Sequence, residues 1–507
     1  MNYLKEKQNI ILIILFIIAI LVRTFMWPTA ISQVNCDEIM TAVNAKAIAD
    51  NGTDTYGTNF PVYLEAWGTM GQSVMLLYFM AIFIKIFGLS IATVRIPMLL
   101  ISIISLFIFY DLIKRIFKNR KIALIGLAFL AICPWHILQS IWSIDCNMFP
   151  HFLLISVYFL YRGITEKKWM IYISMVFFAL SMYTYGVAVY IVPLFLLISG
   201  IYLLKKKSIN WKQFIACITI YICIAFPILI MYVINALHIE QNIHIGPITI
   251  QYFANNQRTS DMLFFSENFF QTLGKNLLKL GRVLVMQYDG LEWNATPFFG
   301  TIYQISIIFL IFAIFKIVKK KQAKENIGIF LMLLWLGISM IVGVVINDTN
   351  INRLNVIWYP IIFFTCYGIY LFIEKYKNAK YVIATIFVIL FIGFSIFLYS
   401  HYTGVIDMSG CFSRKYIDAI QYSENLKKED MIYSNLLNDG TLDIYIQFQS
   451  SIDGTSFDCI REKEVLQERL NHIQENEIFI LRESDLEKIE LPTLNVTYFG
   501  EYMVVTK

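Results

Sequence analysis

The sequence has little charge for its length. Of 507 residues only 15% are Asp, Glu, Lys or Arg, whereas 58% are hydrophobic and 16% are aromatic. Soluble globular proteins carry about 25% charged residues, so this composition excludes an ordinary soluble protein and predicts a polytopic membrane protein. The net charge of +5 is small, and the lysines fall in short clusters between apolar runs. We therefore expect no nucleic-acid partner.

The sequence also lacks the usual cysteine spacing of a metal site. Its eight cysteines include no CxxC pair, so a structural zinc site is not predicted. Two disulfides stay open, Cys411–Cys459 and Cys36–Cys146, because spacing alone does not fix pairing. No small-residue cleavage site follows the first apolar run, so we read that run as a retained span and not as a signal peptide.

Apolar windows long enough to cross a bilayer predict an all-α membrane domain, residues 1–399, with about 11 transmembrane helices. Residues 73–88 are also apolar but short, and they contain Lys85, so we expect a re-entrant or interfacial helix there. The windows are 9–27, 92–113, 121–138, 147–162, 169–186, 187–204, 212–235, 300–318, 327–346, 355–374 and 380–399.

The basic clusters predict the orientation of these spans, because short loops rich in Lys and Arg stay in the cytoplasm. The N-terminus is then cytoplasmic in a multi-pass plasma-membrane protein. Outer loops 28–91 and 236–299 and the C-terminal residues lie outside. The clusters are at residues 5–7, 114–121, 167–168, 205–207, 319–321 and 375–377.

From about residue 400 the composition changes to that of a small soluble domain. Residues 400–507 predict an extracytoplasmic α/β domain of modest size. Helices are expected at 415–426 and 462–474, and 441–449 is either helical or extended. Extended segments are expected at 431–434, 478–481 and 498–505.

The first outer loop opens with Asp37 and Glu38, at the predicted start of a surface helix. A solvated helix start would explain two such acids without any function. Asp145, at the predicted outer end of a span, is a third acid on the same face, and an ionisable group at that depth is expensive unless it is used or paired. Two acids from separate loops suit either a divalent-metal site or general-base activation of a hydroxyl.

Other candidates for substrate binding lie in the same outer segments. Glu65 stands among aromatic residues, and Tyr56 and Trp67 flank it in the first loop. His136 is either an interface anchor or a ligand. Cations are infrequent on the outer face of a membrane protein, so those predicted there suit an anionic partner such as a lipid phosphate. A contact with a lipid headgroup, or snorkelling of a long side chain to the interface, explains them equally. These cations are Lys85, Arg95, Arg258 and Arg353.

Several motifs, taken in order, resemble the polyprenyl-phosphate-sugar-dependent glycosyltransferases of the GT-C fold. This superfamily includes the protein O-mannosyltransferases and the aminoarabinose transferases that modify lipid A. The likeness covers about the first 370 residues. It rests on Asp37-Glu38, GTNFPVYLEAWG at 57–68, FGLS at 87–90, VRIP at 94–97, CPWH at 133–136 before Asp145, ALSMYTY at 179–185 with Pro193, and Arg353 before WYP at 358–360.

The resemblance implies inverting transfer of a hexosyl or pentosyl group from a polyprenyl-phosphate donor to an acceptor on the outer face. Asp37 would act as the base and Asp145 as the second acid, with Glu38 as a weaker third candidate. Glu65 matches an acid that looks like a metal ligand in the aminoarabinose branch, so a divalent metal ion held by Glu65 and Asp37 stays open. That branch follows this acid with a lysine, whereas this chain has Ala66.

A different class of protein stays open as the alternative, a transporter or flippase of lipid-linked saccharides. Such a protein would carry acids or broken helices near the membrane midplane and inverted repeats. The sequence shows neither clearly. It leaves the sugar open, and it does not decide whether the acceptor is a protein, a lipid or a cell-wall glycan.

Overall fold

The computed structural model describes residues 2–25, 34–255, 262–291, 293–402, 414–426, 429–486 and 494–507. The chain divides into two compact units. The helical unit comprises Met1–Pro28, Thr58–Leu76 and Arg95–Tyr399. The mixed unit comprises Thr29–Gly57, Leu77–Val94 and Ser400–Lys507.

Helices dominate the described residues. They are, in chain order, α1 (Asn2–Phe25), α2 (Cys36–Asn51), α3 (Val74–Phe87), α4 (Ile91–Phe117), α5 (Arg120–Ile132), α6 (Pro134–Ile141), α7 (Asp145–Thr165), α8 (Met170–Ser181), α9 (Ala188–Lys205), α10 (Trp211–Ala236), α11 (Phe269–Met286), α12 (Ser306–Lys319), α13 (Gln322–Glu325), α14 (Ile327–Val345), α15 (Ile351–Leu354), α16 (Trp358–Lys375), α17 (Ala379–Tyr402), α18 (Arg414–Asn425), α19 (Gly440–Asp453) and α20 (Lys463–Asn471).

Strands are short and fall in three sheets. Two are antiparallel hairpins in the helical unit, and the third is a five-stranded sheet in the mixed unit. The strands are β1 (Tyr63–Ala66), β2 (Thr69–Ser73), β3 (Ile243–Ile245), β4 (Ile248–Ile250), β5 (Asp430–Ser434), β6 (Phe457–Ile460), β7 (Glu477–Arg482), β8 (Asn495–Phe499) and β9 (Tyr502–Thr506).

Among the described residues, 7 helices are long and apolar enough to cross a membrane, or 8 if the bent pair α5–α6 counts as one span. The multi-pass prediction is confirmed, but the predicted count of about 11 is not. The windows at 169–186 and 300–318 contain helices of only 12 and 14 residues, whereas a span needs about 20. The segment at 73–88 forms α3, whose 14 residues are too few to cross alone. Its position relative to a membrane stays a prediction.

Helices α5 and α6 are separated by a break and meet at an angle of 56°. The backbone groups at this break have hydrogen-bond partners inside the protein. Pro134 has no N–H group and ends the hydrogen-bond ladder of the preceding turn. Arg23, fully buried in α1, fills this gap. Its Nη2 donates to the Leu130 carbonyl at 2.9 Å and its Nη1 donates to the Ala131 carbonyl at 3.1 Å. Two carbonyls freed by the break therefore regain donors.

The other backbone groups at this break are also paired. The Tyr303 hydroxyl donates to the Ile132 carbonyl at 2.7 Å, and the Trp135 N–H donates to the Thr301 carbonyl at 2.8 Å. Non-helical backbone at membrane depth is tolerated only where protein or water satisfies it. The residues around Thr301 and Arg23 thus make the break possible and set the direction of α6.

We expect Arg23→Met to lower the thermal unfolding midpoint of the full-length protein in detergent. The substitution removes the Arg23 donors to both carbonyls. The Leu130 carbonyl keeps only a long hydrogen bond of 3.4 Å from the Cys133 N–H, and a buried acceptor left unpaired, such as the Ala131 carbonyl, costs about 1–3 kcal/mol. Lys7→Met, at an exposed position of the same helix, is the control and should leave the midpoint unchanged. Equal midpoints for the Arg23 variant and the parent protein would contradict this account of the break.

The five-stranded sheet of the mixed unit has the order β6-β5-β7-β9-β8. The strands β6, β5 and β7 are parallel, and β7, β9 and β8 pair antiparallel. Helices α19 and α20 connect the parallel strands, as crossovers between parallel strands require. One buried core, Ile432, Phe479, Leu481, Leu466, Leu470, Met503 and Val505 among others, joins α20 to the sheet.

The small C-terminal sheet confirms the predicted α/β character of this region. Two details differ from the sequence prediction. The segment expected to be extended at 498–505 is a hairpin, because Gly500 turns the chain with a φ of 65°. Strand β6, at Phe457–Ile460, was not predicted because two of its four residues are exposed and it forms the edge of the sheet.

A carboxyl pair links α18 to α19 within the mixed unit. Gln449 Nε2 lies 2.9 Å from Glu424 Oε2 and 3.2 Å from Asp453 Oδ2, donating to both. Burial, together with the neighbouring Asp453, raises the pKa of Glu424 to about 7. The two acids therefore share one site in which one of them holds a proton under mildly acidic conditions.

We expect the pairing of α18 with α19 to weaken as the pH rises from 5 to 8. A carboxyl group whose pKa is higher in the folded state stabilises that state below its unfolded pKa, and this contribution disappears as pH passes the folded value near 7. Hydrogen exchange of α19 in full-length protein measures the effect. Glu424→Gln should remove the difference between the two pH values after correction for intrinsic exchange. A pH response that persists in this variant would contradict the assignment.

Candidate active site

Asp145 stands at the first position of α7 in the helical unit. Its side chain is only 7% exposed, and its Oδ2 accepts a hydrogen bond from the Ser73 N–H at 3.1 Å. A carboxylate in the first turn of a helix is favoured by the partial positive charge of the exposed N–H groups. The contact brings the end of hairpin β1–β2 to this acid, as the sequence could not have indicated.

Arg95 lies near the same turn. Its guanidinium carbon sits 4.8 Å from the ring centroid of Trp142, three residues before Asp145. Both side chains are fully buried. A buried arginine over an aromatic face supplies a fixed positive charge in a low-dielectric setting. Arg95, a sequence candidate for phosphate binding, is therefore built into the region around Asp145.

A buried amide network fixes the turn that carries Asp145. Asn355 Nδ2 lies within hydrogen-bonding distance of Gln139 Oε1 (2.7 Å), the Cys146 carbonyl (3.1 Å) and Asn147 Oδ1 (3.0 Å). Its Oδ1 accepts from Trp135 Nε1 at 2.6 Å. Buried hydrogen bonds in a low-dielectric setting are strong and restrict the residues that form them. Asn355 thereby ties α6 and the start of α7 together.

Asp37 and Glu38 begin α2 in the mixed unit. The N-cap residue is Asn35, whose Oδ1 accepts from the Asp37 N–H at 2.9 Å, which matches the usual geometry of a helix start. Glu38 is fully buried, whereas Asp37 is half-buried. The predicted helix is confirmed, and Cys36, directly before these acids, is a buried thiol.

Helix α19 packs against α2 inside the mixed unit. The Tyr445 hydroxyl, in α19, donates to the Val34 carbonyl at 2.6 Å in a buried contact. Val34 directly precedes the N-cap Asn35. The C-terminal part of the chain therefore holds the first turn of the helix that carries Asp37.

Glu65 lies on β1, opposite Met70 of β2, and is half-buried. Trp67 follows it at the tip of this hairpin with a φ of 56° and is 41% exposed. The hairpin is held from one side, because the Met70 N–H donates to the Asn255 carbonyl at 3.2 Å. An exposed indole at a strained turn beside an acid suits contact with a ligand.

Arg353 lies in the short helix α15, half-buried, and donates through Nη1 to the Asn347 carbonyl. Asp289, from the long loop before α12, reaches the same helix: its Oδ2 accepts from the Ile351 N–H at 2.8 Å. Burial raises the pKa of Asp289, while its hydrogen bonds with Ile351, Leu291 and Asn294 oppose that shift. Asp289 was not among the sequence candidates, and it positions the segment that leads to Asn355.

The other residues predicted to bind substrate differ in burial and in hydrogen bonding. His136 is fully buried, with Nδ1 accepting from Arg23 Nε at 3.0 Å and Nε2 lying 2.8 Å from Ser105 Oγ. Lys85 is exposed on α3, and Tyr56 is 59% exposed in the mixed unit. Arg258 and Cys411 lie outside the described residues.

A metal site is not assembled by the described residues. No group of three or more His, Cys, Asp or Glu side chains among them is placed to hold a metal ion. A divalent metal ion at Glu65 and Asp37 therefore stays a prediction.

The chain is similar in sequence to one protein family and in structure to proteins of known fold. Residues 71–232 match the family described as dolichyl-phosphate-mannose-protein mannosyltransferase. The oligosaccharyltransferase of Archaeoglobus fulgidus, in a complex with Zn and sulfate, aligns with a TM-score of 0.54 and 11% identity over 94% of this chain and 68% of its own. The chain has the GT-C fold.

Two further structures resemble this GT-C protein. Archaeoglobus fulgidus AglB, in complex with an inhibitory peptide and a dolichol-phosphate, aligns with a TM-score of 0.51 and 11% identity over 95% of this chain and 70% of its own. ArnT from Cupriavidus metallidurans, bound to undecaprenyl phosphate, aligns with a TM-score of 0.46 and 11% identity over 97% of both chains. No curated protein matches the chain.

Sequence reasoning missed the residues that position the acids in this GT-C protein. Asn355 and Asp289 follow no motif, and Tyr445 is one of 30 tyrosines. Arg23 could have been identified from the sequence, because an arginine inside an apolar run needs a buried partner or has a functional role. Each of the four also has a partner at least 62 residues away in the sequence, and no local pattern identifies such a contact.

We expect Tyr445→Phe to increase hydrogen exchange in the first turns of α2. The substitution leaves the buried Val34 carbonyl without its donor, at a cost of about 1–3 kcal/mol. Tyr498→Phe, on a side chain that is 66% exposed in the same unit, is the matched control. Unchanged protection of α2 in the Tyr445 variant would show that this hydrogen bond does not hold the helix start.

Proposed function

We propose that this GT-C protein is an inverting membrane glycosyltransferase. It transfers a sugar from a polyprenyl-phosphate donor to an acceptor hydroxyl or amide at the outer face of the plasma membrane. The observation that carries the proposal is the family match over residues 71–232, which includes both Arg95 and the buried Asp145 at the start of α7.

The proposed reaction is one displacement. The Asp37 carboxylate takes the proton of the acceptor group as that group attacks the anomeric carbon of the sugar. The bond from that carbon to the phosphate oxygen breaks, and polyprenyl phosphate leaves with the electron pair. Attack opposite the leaving group inverts the anomeric configuration. A positioned carboxylate base contributes about 10²–10⁴-fold to such a step.

Asp145 orients the acceptor in this proposal. The Ser73 N–H occupies one lone-pair direction of Oδ2, which fixes the carboxylate and leaves it able to accept from a second donor. Glu38 is fully buried, and we assign it a supporting role at the start of α2. Glu65, Trp67 and Tyr56 are proposed to contact the sugar or the acceptor.

Cations are proposed to stabilise the departing phosphate, because charge develops there as the bond breaks. Arg95 is the first choice, since it is buried and held over Trp142, which lies three residues before Asp145. Arg353, Lys85 and Arg258 are the further candidates from the sequence. His136 is assigned to structure, because both of its ring nitrogens already have partners.

The sugar is proposed to be a hexose or pentose, and the acceptor a protein, a lipid or a cell-wall glycan. The N-terminus is proposed to lie in the cytoplasm and residues 400–507 outside. A transporter of lipid-linked saccharides would bind the same donor without cleaving it, so the release of polyprenyl phosphate distinguishes the two functions.

We expect Asp37→Asn and Asp145→Asn each to lower sugar transfer by about 10²-fold or more, measured with purified full-length protein and polyprenyl-phosphate-linked sugars. Asparagine keeps the shape and the backbone hydrogen bonds at both positions. At position 37 it cannot take the proton, and at position 145 it lacks the negative charge that orients the acceptor. Asp50→Asn is the matched control, because Asp50 lies in the same helix as Asp37, is partly exposed and pairs with Lys46.

The control variant should transfer sugar at the parent rate. Full activity in both the Asp37 and the Asp145 variants would contradict the roles given to these acids. A variant that binds donor normally but transfers slowly would support them, because removing a base lowers kcat while leaving ground-state binding in place.

A further inference from the structure

An apolar cavity of about 350 Å³ lies between helices α7, α8, α9 and α10 of the helical unit. Its walls include Met175 of α8, Leu203 of α9 and Leu229 of α10. Its volume falls in the range of small-molecule pockets, roughly 300–1,000 Å³. None of the candidate residues for sugar transfer lines this cavity.

The cavity is long and opens towards lipid. Phe214 and Leu229 both line it from α10, and their separation of 15 residues corresponds to about 22 Å at 1.5 Å per residue. This length exceeds one leaflet of a bilayer, which is about 15 Å or half of the roughly 30 Å hydrocarbon core, so an acyl chain can lie along it. Its lining residues Leu197, Ile218 and Ile222 are 55%, 42% and 46% exposed, so a chain can enter sideways between α9 and α10.

Positive charge surrounds one end of the cavity. Residues 167–239 contain six lysines and no Asp or Glu. Lys168 Nζ donates to the Ser208 carbonyl, which joins the turn before α8 to the turn between α9 and α10. Lys205, Lys206 and Lys207 are exposed in that second turn, next to the lining residues Leu203 and Ile209.

Two tryptophans mark the same end. Trp169 and Trp211 are 54% and 67% exposed and flank the lysine turns. Exposed tryptophans beside lysines are typical of the membrane–water interface. The cavity thus runs from an interface rich in lysine into the hydrocarbon layer, which is the arrangement that a phospholipid needs for its headgroup and one acyl chain.

We propose that this cavity binds one anionic phospholipid, with an acyl chain between α9 and α10 and its phosphate at Lys205, Lys206, Lys207 and Lys168. This site is separate from the donor site and does not depend on the sugar-transfer reaction. It gives the protein a preference for membranes rich in acidic lipid.

Native mass spectrometry of the full-length protein tests the proposal with phosphatidylglycerol and phosphatidylcholine of the same chain length. We expect one phosphatidylglycerol to be retained in preference to phosphatidylcholine. Replacing Lys205, Lys206 and Lys207 together with Gln should weaken that binding on the order of tenfold or more, since each lysine near a membrane surface contributes measurably. The matched control replaces Lys319, Lys320 and Lys321, another exposed run of three.

A second variant tests the acyl-chain part of the site. Cys217 lines the cavity and is buried, whereas Cys223 of the same helix is exposed. Cys217→Phe should fill the cavity and abolish lipid retention, and Cys223→Phe should not. If the Cys217 variant does not fold, the lysine variants, which change only exposed side chains, still decide the question.

Three results would overturn the proposal. The first is a loss of lipid selectivity, seen either as equal retention of phosphatidylcholine and phosphatidylglycerol or as unchanged phosphatidylglycerol binding after the Lys205–Lys207 substitutions. The second is competition by glycerol 3-phosphate alone, which would reveal a headgroup site without a chain. The third is displacement of phosphatidylglycerol by undecaprenyl phosphate with the same dependence on Cys217, which would make the cavity a polyprenyl site.

Discussion

The helical unit depends on one constraint, that backbone groups inside a membrane need partners within the protein. The chain breaks between α5 and α6 at Pro134, and Arg23 supplies the donors that the break removes. Because the break is satisfied, α6 can leave the direction of α5 and bring Trp135 and Gln139 to Asn355. That network in turn fixes the turn that carries Asp145. A charge buried in α1 thus sets the position of a candidate catalytic acid more than a hundred residues later.

The two sets of acids are held by different means. Asp145 is fixed by buried amides and by the Ser73 N–H, all within the helical unit. Asp37 is fixed by its N-cap and by the contact of Tyr445 with Val34, within the mixed unit. The C-terminal part of the mixed unit therefore supports the first turn of α2 through its helix α19.

The sequence predicted the broad architecture because that architecture follows from composition and periodicity. Long apolar runs predict spans, and the polar residues after about 400 predict a small α/β region, both of which are confirmed. The predicted number of spans is not confirmed, because runs such as 169–186 contain apolar residues beyond the ends of short helices. Asp37, Glu38 and Asp145 were chosen from their positions in the chain. Their supports, Asn355, Tyr445 and Arg23, act through contacts across 100 or more residues, which no local pattern encodes.

The central claim is that this protein cleaves a polyprenyl-phosphate sugar and transfers the sugar with inversion. The most direct measurement follows a donor labelled in both sugar and lipid, incubated with purified protein in vesicles that contain candidate acceptors. We expect polyprenyl phosphate to be released in equal amount to the sugar transferred, and the product to have the opposite anomeric configuration. Movement of intact donor across the vesicle membrane, with no release of polyprenyl phosphate, would contradict the claim and identify a transporter.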